Sequence, residues 1–452
     1  MNERPASGFL DRTLRNLRAA WRELAGAARD AVGAEFRPSL PGEDAARLSQ
    51  QMRDCLKALG GEVTARARAA ALGRVYLDLN ETGRQRFLRL LTDEFDTDQA
   101  AVDHAVEALR KARDPRSRRA AELRLRQLLE PPRTRLLRQF NDLPDGVKFL
   151  VDLRADLLAL AKEDPGFAAT ASDLEELLTL WFDIGFLELE RITWESPAAL
   201  LEKLIGYEAV HAIESWDDLK NRLDSDRRCF AFFHPRMPEE PLIFVEVALV
   251  NGMAGNIQTL LDESAPVEDP QTADTAIFYS ISNAQKGLAG ISFGGFLIKR
   301  VIDRLAAEFG RLKNFATLSP IPGFRRWLDQ QSPSPLEAGL RAQLDRPDWD
   351  RDAATATALR EPLMRLCARY LVAEKGPGGQ ALDRVAHFHL SNGARVQRLN
   401  WLADRSEKGM AQSAGLMINY LYRLDHIEAN HEAYTGRGRV AASSSIKSLL
   451  KG

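Results

Sequence analysis

The stretch that could hold an anion runs from Asn283 to Arg300 and reads NAQKGLAGISFGGFLIKR. Four glycines, Gly287, Gly290, Gly294 and Gly295, let backbone approach a ligand closely, and Lys299 and Arg300 add positive charge. The β-rich run TAIFYSIS precedes it, and FLIKRVIDRLAAEFG follows with Phe296, Leu297, Val301, Ile302 and Leu305 on one helical face. A strand, a glycine-rich turn and a helix start present consecutive backbone N–H groups, and the helix dipole favours negative charge there. The spacing is neither GxGxxG nor GxxxxGK[ST], so dinucleotide-binding and nucleotide-hydrolase readings gain nothing from it. A tight strand-to-helix connection without a ligand would use the same residues.

One other residue type suggests proton chemistry. An imidazole titrates near neutral pH and can donate and reload a proton; His387 and His389 both fall in VAHFHL, a run that reads as a strand and so places them on one side. Ser319 precedes Pro320 at the end of the β-rich run NFATLSP. His234, before Pro235, reads as structural, and His211, His426 and His431 lack metal-ligand spacing. Cys55, Cys229 and Cys367 are far apart with no CxxC pair, which argues against a disulfide framework or zinc site and for a reducing compartment.

The elements that must position these residues change character near residue 190. Up to there apolar residues recur at helical spacing, as in RQRFLRLLTDEF and GVKFLVDLRADLLALAKE, with Asp98 and Asp145 at expected N-caps and Pro131, Pro132 and Pro165 as interruptions. Beyond it, RRCFAFFHP, PLIFVEVALV, TAIFYSIS, NFATLSP and VAHFHL read as strands between helices. Residues 328–374 return to helical patterning and read as an insertion between two strands. The expected fold is α+β: a helical bundle over residues 1–190, then an α/β domain over 191–452 with a helical insertion. No fixed-period repeat appears.

A chain of 452 residues with 45% hydrophobic side chains can bury more than one core. Its 62 basic residues nearly balance 64 acidic ones, for a net charge of −2, which excludes the basic excess of a nucleic-acid binder. No apolar run reaches the roughly 18 residues a membrane span needs. The Arg-rich start lacks the apolar core of a secretory signal, and its acidic residues, Glu23 among them, suit an ordinary first helix better than a presequence. A cytoplasmic location is expected, the more so because the terminus KSLLKG is not a peroxisomal signal.

Taken in order, FYSIS, QKGLAG, FGGFLIKRV, LSPIPGF, EPLMRLCARYL, HFHLSNGARVQRLNWLAD and GLMINYLYRL resemble blocks of the malonyl-CoA decarboxylase family. FFHPRMPEEPLIFVEVAL, VKFLVDLRADLLAL and WFDIGFLELERITW extend the likeness towards the N-terminus, so that it covers residues 136–452 well and the first 135 loosely. The resemblance implies a helical domain used for oligomerisation, then a catalytic domain similar to the GCN5-related acetyltransferase fold. It implies a homodimer or homotetramer that turns malonyl-CoA into acetyl-CoA and carbon dioxide, with no metal or other cofactor and no nucleic-acid or membrane partner.

On this chain the family's coenzyme A loop falls on Ala289, Gly290, Ile291, Ser292, Phe293, Gly294 and Gly295, within the segment singled out above. Its catalytic pair falls on Ser319 and His389. Ser292 stands where some members carry glutamate, so no acid role is carried over to it. Asn419, Tyr420 and Tyr422, in a further matching block, are candidates to line the thioester pocket but suit core packing equally. A CoA-dependent acyltransferase and a non-catalytic CoA-binding scaffold are the rival expectations.

Overall fold

The computed structural model describes residues 17–18, 20–22, 24, 35–57, 61–182, 184–291, 297–331 and 335–451. The chain forms two compact units, one of Met1–Leu187 with His234–Glu240 and Gln285–Ser292, the other of Glu188–Phe233, Pro241–Ala284 and Phe293–Gly452. The expectation of one cut at 190/191 thus differs in form. The first strand already begins at Glu188, and two later segments fold with the helical unit.

In the first unit, helices run from Gly42–Leu56 through Gly61–Asp78, Glu81–Glu94, Gln99–Lys111, Pro115–Leu129, Pro132–Asn141 and Gly146–Leu160 to Ala168–Trp181. Side chains that satisfy free N–H groups set several starts. Asn80 accepts from Gly83 N, Asp98 from Ala101 N, and Asp114 from the N–H groups of Arg116 and Ser117. Asp145 occupies the expected cap position but makes no cap bond and has a left-handed φ of 53°. Phe87, Leu91, Phe140, Phe149, Leu153 and Leu157 form part of the core, with Phe149 packed edge-on against Trp21 at 4.9 Å and Tyr76 at 5.7 Å. The helix Pro115–Leu129 buries none of its residues.

The second unit is built on an eight-stranded mixed sheet: β1 (Glu188–Ile192), β2 (Arg227–Phe233), β3 (Ile243–Val250), β4 (Thr275–Asn283), β5 (Asn314–Thr317), β6 (Ser319–Pro320), β7 (Arg395–Asn400) and β8 (Met417–Tyr422). Its order is β1-β2-β3-β4-β5-β8-β6, with β7 also on β8. All pairs are antiparallel except β4 with β5, whose parallel pairing needs a crossover, supplied by the helix Leu297–Glu308. Both faces of β2 are covered. Cys229, Ala231 and Phe233 pack with Leu204 and Leu219 from the helices Ala198–Tyr207 and Trp216–Arg222, whereas Arg228 and Phe232 meet Glu308 and Arg300 of the crossover helix. Hence β2 and β3 read as continuous apolar runs rather than alternating ones.

Between β6 and β7 lie the helices Phe324–Gln330, Pro335–Leu344, Ala353–Val372 and Arg384–Ser391. The helical insertion is present, but VAHFHL is the last of its helices, not a strand. Asp383 caps that helix and Gly393, at φ 82°, follows its end. Six residues are too few for periodicity to separate the two forms, and the Asp and Gly at either end were the informative signal.

Candidate active site

Thr317 and Ser319 are two residues apart on the β5–β6 stretch, and Ser319 pairs with Ile418 of β8. Side chains alternate along a strand, so Tyr420 and Tyr422 of β8 share that face with Ile418. The helix Arg384–Ser391 lays His389 against it. Ser319 is 5% exposed and His389 3%.

Ser319 Oγ lies 3.1 Å from His389 Nε2, and His389 Nδ1 lies 2.8 Å from the Tyr422 hydroxyl. The Ser319 hydroxyl donates to Thr317 Oγ1 at 2.8 Å, which also accepts from the backbone N–H of Tyr420 at 3.1 Å. Because Ser319 gives its own proton to Thr317, it accepts from the imidazole. The hydrogen-bond pattern therefore assigns the Nε2–H tautomer, with Nδ1 accepting from Tyr422. The Tyr420 ring stacks on the imidazole at 4.6 Å and 25°.

Burial alone drives the His389 pKa down to about 3, so the ring is neutral at neutral pH. The expected imidazole titrating near 6.5 is thereby corrected: desolvation removes the charged form. Burial likewise holds the Tyr422 and Tyr420 hydroxyls far above 10, as neutral groups. The partner of Nδ1 is a phenol where a Ser-His-Asp triad has a carboxylate, so Ser319 is not set up as an activated nucleophile. The arrangement is instead a row of neutral O–H and N–H groups that can donate to a developing oxyanion or pass a proton along.

The two histidines expected on one side are separated, because residues two apart on a helix point in nearly opposite directions. His387 Nδ1 bonds the Tyr434 hydroxyl at 2.8 Å instead. His234 is structural in its contacts, meeting Trp181 O at 3.0 Å and Arg236 N at 3.2 Å. Asn419 faces away from the pair. It donates to Thr317 O at 2.6 Å and accepts from Asn400 Nδ2 at 2.8 Å. Thr317 and Tyr422 were missing from the expected catalytic set; the alternating Tyr420 and Tyr422 in a β-rich block were the available signal.

Of the expected coenzyme A loop, Ala289 and Gly290 are exposed and Ile291 is buried, while Ser292, Phe293, Gly294 and Gly295 lie outside the described residues. Arg154, on the helix Gly146–Leu160 and only 1% exposed, donates to Gly287 O at 2.5 Å and Ala289 O at 2.8 Å and pairs with Glu175. This buried guanidinium fixes the loop by its carbonyls. Gly290 has φ 87°, and a Cβ there would sit 3.3 Å from Glu175 Oε1, so both conformation and space favour glycine. Among the described residues no group of three or more His, Cys, Asp or Glu side chains could hold a metal, and no helix is long and apolar enough to cross a membrane.

Comparison with known proteins gives concordant matches. The family model for the malonyl-CoA decarboxylase C-terminal domain matches residues 185–452, and that for the N-terminal domain matches 95–182. The mitochondrial malonyl-CoA decarboxylase of Rattus norvegicus is 38% identical over 436 residues, covering 88% of this chain and 85% of that protein. The corresponding protein of Anser anser anser is 38% identical over 423 residues, 85% of this chain and 84% of that one. Among solved structures, malonyl-CoA decarboxylase from Rhodopseudomonas palustris superposes with a TM-score of 0.85 at 45% identity, over 89% of this chain and 99% of that chain. The Agrobacterium vitis enzyme gives 0.82 at 44% identity, with the same coverage.

Proposed function

The chain belongs to the malonyl-CoA decarboxylase family, and from that premise we propose that it releases the free carboxylate of malonyl-CoA as carbon dioxide with Ser319 and His389 as its catalytic pair. The observation that carries the residue assignment is the buried row Tyr422, His389, Ser319. When the bond to the carboxylate breaks, its electron pair moves onto the thioester carbonyl. Donors already aimed at that oxygen lower the barrier, each by about 3 kcal/mol. The thioester is itself the electron sink, so no metal or organic cofactor is needed. Ser319, His389 and Tyr422 are buried and uncharged, which suits a step that disperses charge from a carboxylate.

The enolate of acetyl-CoA then takes a proton at carbon. In this reading the Ser319 hydroxyl turns from Thr317 Oγ1 to give its proton to the enolate carbon, the Ser319 oxygen takes the proton on His389 Nε2, and Nδ1 takes the proton of Tyr422. Solvent reloads the phenolate. Each transfer runs from a weaker base to a stronger one, since a thioester enolate is more basic than an alkoxide, imidazolate or phenolate. His389 thus acts as a neutral relay rather than as an imidazolium acid.

Ala289, Gly290 and Ile291, with Ser292, Phe293, Gly294 and Gly295 after them, would take the coenzyme A phosphates. The exposed Ala289 and Gly290, on the segment between β4 and the helix Leu297–Glu308, support this reading. Residues 1–190 would serve assembly into a homodimer or homotetramer, supported by Leu123 and Leu129, 59% and 54% exposed on a helix that buries nothing, and residues 191–452 would carry catalysis. Three buried free cysteines support a reducing, cytoplasmic setting. Incubating purified protein with malonyl-CoA and no acyl acceptor tests the function. Acetyl-CoA and carbon dioxide are expected, whereas a thioester consumed only when an amine is added would establish an acyltransferase.

A further inference from the structure

A carboxylate that the reaction does not use lies between the two catalytic segments. Asp383, 2% exposed, stands six residues before His389, and Gly323 stands four residues after Ser319. Asp383 Oδ1 accepts from the backbone N–H groups of Val385 and Ala386, both at 2.9 Å, and so caps the helix that carries His389. Its Oδ2 accepts from the Tyr370 hydroxyl at 3.1 Å, and the backbone of Gly323 lies against the same carboxylate. The approach is close on the Ser319 side as well: a Cβ on Gly323 would lie 2.1 Å from the Tyr370 hydroxyl and 3.4 Å from Asp383 Oδ2.

Capping alone does not explain this residue. A Ser, Thr or Asn would cap the helix without a buried charge. No Lys or Arg pairs with Asp383 among the described residues, and burying an unpaired carboxylate is costly unless several donors satisfy it. What the carboxylate adds is a second oxygen that accepts from another part of the chain. We infer that Asp383 is a positioning residue for the decarboxylation, joining the helix of His389 to the turn after Ser319 through Gly323 and Tyr370 and thereby setting the Ser319–His389 separation. It touches neither reacting group and acts through both.

The inference rests on Ser319 and His389 being the catalytic pair, and Asp383→Asn tests it separately from that reading. Asparagine keeps an oxygen for the cap at Val385 and Ala386 but turns an N–H₂ group towards the Tyr370 hydroxyl and the backbone of Gly323, so only the bridge is broken. Misplacing reacting groups by an ångström or less can cost up to about a hundredfold, so kcat should fall about ten- to a hundredfold with KM for malonyl-CoA unchanged and the protein folded by circular dichroism. Tyr370→Phe removes one donor and leaves the carboxylate, and should lower kcat by a smaller factor in the same direction. It also gives a reading should Asp383→Asn not fold. If both variants keep wild-type kcat, or lose activity only in proportion to the unfolded fraction, the positioning role is overturned. If they keep wild-type kcat while Ser319→Ala and His389→Ala abolish turnover, only the inference fails and the catalytic pair stands.

Discussion

Replacing Tyr422 with phenylalanine removes one oxygen from a residue 2% exposed and changes little else in shape. The atom lost is the partner of His389 Nδ1, 2.8 Å away, and no other side chain among the described residues bonds that nitrogen. A buried acceptor left unpaired costs about 1–3 kcal/mol. If that cost falls on the transition state, kcat drops by about 5- to 150-fold. Two consequences separate this from a general loss of stability. The tautomer is no longer fixed, so the ¹⁵N resonances of His389, assigned by comparison with His389→Asn, should shift from an Nε2–H pattern towards a mixture. KM for malonyl-CoA should stay within about twofold of wild type, because in the relay the phenol hydroxyl is turned to His389 Nδ1. A variant with wild-type kcat, or one that loses only KM, would refute the relay.

Other expectations follow from the same geometry. Arg154→Leu removes the guanidinium that holds Gly287 O and Ala289 O and leaves those carbonyls and Glu175 without it; KM for malonyl-CoA should rise about tenfold or more, with stability falling by about 1–3 kcal/mol. Gly290→Asp places a charged side chain at φ 87° beside Glu175 and should weaken coenzyme A binding about tenfold, measured by calorimetry; unchanged affinity in folded protein would move the phosphate site elsewhere. Burial holds His389 at about 3 and His211 at about 4 in the folded protein, against about 6.5 when unfolded. The unfolded chain therefore binds extra protons as pH falls below about 6.5. Their contribution to stability is complete above that pH and declines towards pH 4 by about 1 kcal/mol per unit for each histidine, and the decline should be shallower in a His211→Gln variant scanned by calorimetry. For the same reason kcat should show no step near pH 6.5 from an imidazolium acid.

Much of the fold follows from the sequence because its patterning is local. Helical periodicity before residue 188 and apolar runs such as RRCFAFF are dictated by which faces they bury, and the structure realises them as helices and as β2 to β5. Three strands were not legible. β1 carries Glu188, Glu190 and Arg191 and is largely exposed, β7 has only Val396 and Leu399 among polar residues and breaks alternation at the adjacent Gln397 and Arg398, and β8 was visible only as a block of resemblance. The helix of His389 was mistaken for a strand because VAHFHL is short and its identity depends on the cap at Asp383. Ser319 and His389 came from resemblance, since 70 residues of chain separate them and only the folded ladder puts their side chains together. The neutral state of His389 was hidden for a physical reason: a desolvation shift depends on what surrounds the ring, which no spacing encodes.

The most direct test of the catalytic assignment is turnover of malonyl-CoA by Ser319→Ala and His389→Ala, with coenzyme A binding measured on the same samples. Each variant should lose about a hundredfold or more in kcat, within the range for lost proton transfer, while affinity for coenzyme A stays near that of the unaltered protein. Near wild-type release of carbon dioxide by either variant would contradict the account.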